Sequence, residues 1–350
     1  MATDFALIRG RYLRDILEQP ERLRATLESL RQTAALGEVA RRLQRGEFRR
    51  VLLTGMGSSF HALHPCALQL VQQGITALMV ETSELVHYQA RFFERETLVV
   101  VVSQSGQSAE VIRLLQVNAG RSALLAVTNT PNSPLAESAA AAVITVAGEE
   151  FSVSCKTYVT ALLALQWLAD LLCGCNLKET HRALGHAATS VASYLAHWEA
   201  HVQSLAEPLR GVRHLFLVGR GTSLAAVGTG ALITKEAAHI HAEGMSSAAF
   251  RHGPMEMLAN DTCVLVFAGD PNTAGLNRRL LADIREQGGR AHLVGEAAGL
   301  PVFRLPAAPP NGVRPILEIL PLQLVTLALA ALDAREPGVF ELARKITTTE

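Results

Sequence analysis

Val99-Val-Val-Val-Ser-Gln-Ser-Gly-Gln-Ser108 runs four β-branched residues into a knot of hydroxyls around one glycine. Glu110, Val111, Ile112, Leu114 and Leu115 continue with helical spacing. The apolar run reads as a strand buried on both faces, followed by a short loop and a helix N-terminus. Such a loop aims backbone N–H groups and hydroxyls at one point, with the positive end of the helix dipole behind them. The guest it suits is an anion, most often a phosphate. The loop has no lysine and no acidic metal ligand. It is a poor nucleotide-hydrolysis loop and a better one for a sugar phosphate.

Outward from that loop, two units share one opening. Arg50-Val-Leu-Leu-Thr-Gly-Met-Gly-Ser-Ser59 starts the first and His214-Leu-Phe-Leu-Val-Gly-Arg-Gly-Thr-Ser223 starts the second. Further strand-like segments follow at 77–81, 98–102, 122–128 and 142–146, then at 239–243, 263–268, 291–295 and 302–305. Strands alternating with helical patterns predict an α/β fold: a mainly parallel sheet with helices on both faces, in a flavodoxin-like three-layer sandwich. The repeated opening predicts that this was built twice. Helices are expected over 12–43, 181–205 and 311–334. The expected division is a helical segment at 1–45, a phosphate-binding domain at 46–195, a second domain at 196–335 and a tail at 336–350.

The bulk composition excludes several classes. The 350 residues balance 32 basic against 32 acidic side chains, so nothing global steers the chain to nucleic acid or to a membrane surface. Met1–Arg14 has no apolar core and does not read as a secretory signal. The most apolar stretches, 158–175 and 316–332, contain Gln166 and Asp170, and Glu318, Pro321 and Gln323. Both read as buried helices rather than membrane spans. Cysteines 66, 155, 173, 175 and 263 lack metal-ligand spacing and read as free thiols in a reducing cytoplasm. No metal and no cofactor are expected.

Three further stretches can carry chemistry. Gly55-Met-Gly57-Ser-Ser59 opens like a dinucleotide fingerprint, but Phe60 stands where its third glycine belongs. A tight strand-to-helix turn is the alternative. Ser58 and Ser59 join Ser103, Gln104, Ser105 and Ser108 in a hydroxyl-rich rim, and ligands of open α/β sheets bind outside the carboxyl ends of the strands. Glu236 lies among alanines and aliphatics, as either a surface charge or a partly buried base. His252 precedes Gly253-Pro254, a turn that can hold a proton donor or be purely structural. The final Leu342-Ala-Arg-Lys-Ile-Thr-Thr-Thr-Glu350 interleaves apolar residues with Lys345, which is unusual for a fraying end.

The ordered series Glu18-Gln-Pro20, Ser103–Ser108, Val153-Ser-Cys-Lys-Thr157, Gly219-Arg-Gly221, Lys235-Glu236, His241-Ala-Glu243, His252-Gly-Pro254 and Lys345-Ile-Thr-Thr-Thr-Glu350 resembles the tandem sugar isomerase (SIS) domain family. The resemblance spans essentially the whole chain. It is strongest to the isomerase half of glutamine–fructose-6-phosphate amidotransferases and to stand-alone amino-sugar-phosphate deaminases and fructosamine-6-phosphate deglycases. It implies an amino-sugar-phosphate isomerase/deaminase, converting for instance glucosamine 6-phosphate to fructose 6-phosphate and ammonia. Ser103, Gln104, Ser105 and Ser108 would hold the phosphate, with Ser58, Ser59 and a possible Ser154 on the same ligand. Glu236 would move a proton between C1 and C2. His252 would assist ring opening from across a homodimer, and Lys345 would approach the C2 carbonyl.

Departures from the family pattern leave two alternatives open, a fructosamine-6-phosphate deglycase and a non-catalytic sugar-phosphate sensor. A Glu and a Lys of the synthase helix are matched here by Thr229 and Ile233. Val339 and Phe340 precede Glu341-Leu-Ala-Arg-Lys345 in place of an Arg-Asn. The stretch 149–156 is one residue shorter than the synthase pattern. A glutaminase domain with its N-terminal cysteine nucleophile is not expected.

Overall fold

The structure, a computed structural model, describes residues 5–307, 313–342, 344–347 and 349. Among them, β1 (Arg50–Gly55), β2 (Ala77–Glu81), β3 (Thr97–Val102), β4 (Ala123–Thr128) and β5 (Ala141–Ile144) form a parallel sheet in the order β2-β1-β3-β4-β5. β6 (His214–Gly219), β7 (His241–Ser246), β8 (Thr262–Phe267) and β9 (Arg290–Val294) form a second parallel sheet in the order β7-β6-β8-β9. In both, the first strand lies between the second and the third, as the repeated opening predicts. Every residue of β3 and of β8 is buried. An interior parallel strand covered on both faces needs an unbroken apolar run, which is why neither alternates. Leu52, Val99, Val101, Leu114 and Leu124 pack on one face of the first sheet, and Phe216, Val264, Val266, Leu280 and Ile284 on one face of the second.

The expected strand at 302–305 is not formed. Pro301–Phe303 is a short 3-10 helix, and only an isolated bridge joins Gly295 to Arg304. Proline at the start of that segment has no N–H for a ladder. The strand expected from His239 starts at His241 instead, because His239 sits at a left-handed φ of 54° and ends the preceding helix.

Lys156–Leu172 is buried along its whole length, polar residues included. Asp170 accepts hydrogen bonds from Thr180 Oγ1 at 2.6 Å, from Gln166 Nε2 at 3.2 Å and from Gln69 Nε2. A buried carboxylate is tolerable when its lone pairs are satisfied in this way. The helix is stopped by Gly174 at φ 73°, with Cys175 N donating to Asp170 O at 2.8 Å. Cys173-Gly-Cys175 is therefore a left-handed helix terminator. None of the five cysteines is in a disulfide; burial pushes the Cys66 thiol up to about 12 and that of Cys173 up to about 11. The other apolar stretch, Arg314–Leu332, is long and apolar enough to cross a membrane by length and composition, yet 94% of it is buried inside the protein. Its Gln323 exchanges hydrogen bonds with Gln19 at 2.8 and 3.1 Å. Asn311, where the closing helix was expected to begin, lies outside the described residues.

The chain forms two compact units. One holds the first sheet and comprises 21–149, 156–186 and 344–350. The other holds the second sheet and comprises 1–20, 150–155 and 187–343.

Candidate functional site

In the first unit the chemistry-bearing side chains gather where β1 and β3 end. These neighbouring strands connect onward in opposite directions, which makes their carboxyl ends a topological switch point. Gly55 closes β1 against β3: a Cβ there would lie 3.0 Å from Val102 O. The turn continues through Gly57, at φ 52°, into the short helix Gly57–His61 that carries Ser58 and Ser59. Ser58 Oγ is buried and has no hydrogen-bond partner among the described residues.

The loop after β3 is held by residues 128 and 129 at the end of β4 and by its own serine side chains. Gln104 O accepts from Asn129 N at 3.0 Å and Thr128 Oγ1 at 3.2 Å. Ser103 Oγ accepts from Gly106 N at 3.1 Å, and Ser105 Oγ from Gln107 N at 3.3 Å. Gly106 has φ 64°, and a Cβ on it would fall 2.2 Å from Ser133 Oγ, so only glycine fits. Ser103 and Ser105 are buried, while Gln104 and Ser108 are half-buried. Ser108 is the N-cap of the helix Ala109–Asn118, but its side chain makes no capping bond. Its hydroxyl stands at the positive end of a ten-residue helix, where an anion is favoured. The carboxyl-terminal segment reaches this same place: Ala109 N donates to Thr347 O at 3.1 Å. The half-buried Lys345, two residues earlier, is thereby brought to the unit of the serine-rich loop. Thr348 and Glu350 of the tail motif lie outside the described residues.

The second unit holds Glu236, His252 and Ser154. Glu236 lies near the end of the helix Leu224–Ala238 and is half-buried. That helix is pressed onto its surroundings through Gly230, where a Cβ would lie 2.7 Å from Leu322 Cδ1 and 2.8 Å from Leu217 Cδ2. Its end is tied down by Gly338 N, which donates to Ala237 O at 3.1 Å. Gly338 has φ 77° and touches Tyr12 and Ser152, whose hydroxyl donates to Gly338 O. Tyr12 is buried beside these groups. Burial, with the charges of Cys155, Glu236 and Glu150, raises its hydroxyl well above an ordinary phenol, against the opposing bond to Thr326. Nothing in the sequence marked Tyr12 or Gly338; only the packing around the helix end shows them.

His252 closes the five-residue helix Ser247–Arg251, just before Gly253 at φ 138°, and is exposed. Ser154 is half-buried in the turn entering the helix Lys156–Leu172. That turn is anchored by Phe151 N donating to Asp15 Oδ2 at 2.7 Å. Thr229 and Ile233 are both wholly buried, and Thr229 Oγ1 is unpartnered. The structure thus places Ser58, Ser59, Ser103, Gln104, Ser105 and Ser108 together in one unit with the Lys345 segment. It places Glu236, His252 and Ser154 in the other.

A cleft of about 420 Å³ opens beside Glu236. Lys235, His239, Ile240, His241, Phe340, Glu341 and Leu342 line the rest of it.

Comparison with known proteins gives one consistent picture. The SIS domain profile matches twice, at residues 47–171 and 208–332. The glutamine–fructose-6-phosphate aminotransferase (isomerizing) of Pyrococcus horikoshii is 27% identical over 351 residues, covering 96% of this chain and 57% of that protein. The chain therefore spans little more than half the length of this relative. Among solved structures, the C-terminal domain of glucosamine-fructose-6-phosphate aminotransferase from Francisella tularensis has a TM-score of 0.82 at 22% identity, covering 93% of this chain and 97% of that one. Glucosamine-6-phosphate deaminase from Thermotoga maritima has a TM-score of 0.79 at 19% identity, covering 97% and 100%. At these identities the structural likeness establishes the shared fold.

Proposed function

The chain belongs to the SIS domain family, and from that premise we propose that it is an amino-sugar-phosphate isomerase and deaminase. The reaction proposed converts glucosamine 6-phosphate to fructose 6-phosphate and ammonia. The observation that carries the reading is the serine-rich edge of the first sheet. It combines a helix N-terminus, a Ser108 hydroxyl that makes no capping bond and a buried Ser58 Oγ with no partner among the described residues. A buried hydroxyl left without a partner costs stability, so a ligand that supplies the missing bond has a place prepared for it. The phosphate of a phosphosugar supplies such acceptors and the negative charge the helix end favours.

The proposed chemistry assigns one role to each remaining group. The substrate's C–H proton is weakly acidic, and Glu236 would carry it between C1 and C2, a step that needs a positioned carboxylate. His252 would exchange the proton that opens the sugar ring, from the partner subunit of a cytoplasmic homodimer. Lys345 would stand at the C2 carbonyl. Water would then hydrolyse the C2 imine and release ammonia. The serines 58, 59, 103, 105 and 108, with Gln104 and Ser154, would hold the substrate while this happens.

The test is direct. Purified protein is incubated with glucosamine 6-phosphate while ammonia and fructose 6-phosphate are followed. Equal appearance of both supports the reading. No turnover, with tight phosphosugar binding retained, would favour the sensor alternative instead. Glu236→Gln is expected to lower kcat by roughly 10²–10⁴-fold with little change in binding. Unchanged turnover in that variant would remove Glu236 from the role of base.

A further inference from the structure

We propose that the carboxyl edge of the second sheet is a site for a monovalent cation of potassium or ammonium size, with Glu318 Oε2 and Asn277 Oδ1 among its ligands. It stands at the start of the helix Leu224–Ala238, the end opposite Glu236, and does not depend on the role given to Glu236.

β6 and β8 are neighbours that lead onward in opposite directions, to β7 on one side and β9 on the other. Their carboxyl ends are the switch point of the second sheet, where open α/β sheets take ligands. Three segments meet there. The turn 219–223 leaves β6 and starts the helix Leu224–Ala238. Gly269 follows β8 at φ 68°, and a Cβ on it would lie 3.2 Å from Ser223 Oγ and 3.6 Å from Asn277 Nδ2. Glu318, the last residue of the helix Arg314–Glu318, accepts from Ser223 Oγ at 2.9 Å. Ser223 and Gly269 therefore bring Glu318 and Asn277 to the same crevice.

That crevice is short of positive charge and of donors. Glu318 Oε2 and Asn277 Oδ1 have no hydrogen-bond partner among the described residues, although the two residues are 1% and 0% exposed. Asn277 Nδ2 is committed to Ala268 O at 3.2 Å, which leaves the amide oxygen facing away from that bond. Buried acceptors of this kind are costly unless a donor or a cation meets them. A water meets the two oxygens but leaves an ionised carboxylate without a counter-charge, and a buried carboxylate demands one. Arg314 is the positive charge that acts on Glu318, and its guanidinium also lies 3.8 Å from Glu296. Arg220, in the turn itself, has no such effect on Glu318.

The same residues set the size and charge of the guest. Side chains this deeply buried exclude a sugar or a nucleotide and leave a guest the size of an ion. One carboxylate among neutral oxygens suits a single positive charge, whereas calcium and magnesium call for larger sets of oxygens. No group of three His, Cys, Asp or Glu side chains suited to a metal ion occurs among the described residues. The two sheets then offer opposite chemistry at corresponding edges: hydroxyls and a helix start in the first, a carboxyl and an amide oxygen in the second.

Thermal unfolding of the full chain at pH 8 tests the site, because burial raises Glu318 only to about 7 and its carboxyl is then ionised. Native protein and Glu318→Gln are compared in equal concentrations of potassium, ammonium and tetramethylammonium chloride. Tetramethylammonium has the same charge and is too large for the crevice. Potassium or ammonium is expected to raise the Tm of the native protein by about 2 °C over tetramethylammonium and to leave Glu318→Gln unmoved. In tetramethylammonium the variant should be the more stable of the two, and the bound ion narrows that gap. A native Tm that neither ion raises above its tetramethylammonium value overturns the proposal. A rise that Glu318→Gln shares in full places the ion elsewhere and overturns it as well.

Discussion

Glu318 shows how far one residue's surroundings can move it. Its carboxyl is wholly buried; Oε1 accepts from Ser223 Oγ at 2.9 Å and Oε2 has no partner. Burial raises its pKa from 4.5 to about 7, against smaller opposing effects of Ser223 and Arg314. The folded protein therefore binds more protons than the unfolded chain between pH 4.5 and 7. Stability contributed by the neutral carboxyl is complete below 4.5, is lost as pH rises through this window, and is gone above 7. The loss amounts to roughly 3 kcal/mol. Glu318→Gln should match the native protein at pH 4.5 and exceed it above pH 7. Urea denaturation of both proteins at pH 5 and pH 8 measures the difference, in which other titrating groups cancel. An equal pH dependence in the two would mean that the carboxyl is not buried as described.

Ser58 is the complementary case. Its hydroxyl has no bond within the protein to lose, so Ser58→Ala should leave unfolding stability unchanged or slightly raised. If a phosphosugar supplies the missing partner, its dissociation constant should rise about fivefold, for a lost bond of about 1 kcal/mol. Calorimetry with fructose 6-phosphate checks this. A loss of stability with unchanged affinity would assign Ser58 to the core alone.

At the scale of elements, the loop between β3 and its helix depends on Gly106. Left-handed backbone and a contact of 2.2 Å from a Cβ to Ser133 Oγ act together there. Ser133 is itself fixed, because its Oγ caps the helix Pro134–Ser138 through Ala136 N at 3.3 Å. Gly106→Ala should therefore cost about 1–3 kcal/mol of stability and displace the loop. Phosphosugar affinity should fall at least tenfold, out of proportion to the effect of Ser58→Ala. The helix Leu224–Ala238, which carries Glu236, depends in the same way on Gly230. There a side chain would separate it from Leu217 and Leu322, and Glu236 would be carried away with it. The strand misplaced at 302–305 belongs to this scale as well. A short apolar segment suggested a strand, and behind the proline at 301 the chain made a 3-10 turn with an isolated bridge from Gly295 to Arg304 instead.

For the whole molecule, the two sheets repeat one order of connection, yet their carboxyl edges have diverged. In the first unit β3 leads into the serine loop. In the second, β8 leads through Gly269 to Asp270, whose carboxylate caps its own helix at Asn272 N, 2.8 Å away. An acidic cap therefore stands at the second copy's helix start, where the first copy has the uncharged Ser108. The proposed homodimer can be tested at this scale. His252 is exposed and Glu236 half-buried in the same unit. If His252 serves the partner's substrate, mixing inactive Glu236→Gln and His252→Ala subunits should restore measurable deaminase activity. Mixtures as inactive as their components would place both groups on one subunit's substrate.

The sequence by itself determined the parallel α/β class, the doubled opening and the hydroxyl-rich loop Ser103–Ser108 between a strand and a helix start. Those properties are local: an apolar run of strand length, a hydroxyl loop and a helix start are all written in consecutive residues. It also carried the motifs by which the family is known. Tertiary structure alone decided which groups are buried and which of them stand together. Glu318 looks like any helix glutamate until packing removes its water, and Ser58 looks like any turn serine until burial leaves its hydroxyl unpartnered. Tyr12 and Gly338 gather at the end of the base helix from opposite ends of the chain. His239 meets Arg335 and Glu341 across about a hundred residues of sequence. Burial and convergence depend on contacts between distant segments, and no window of sequence contains them.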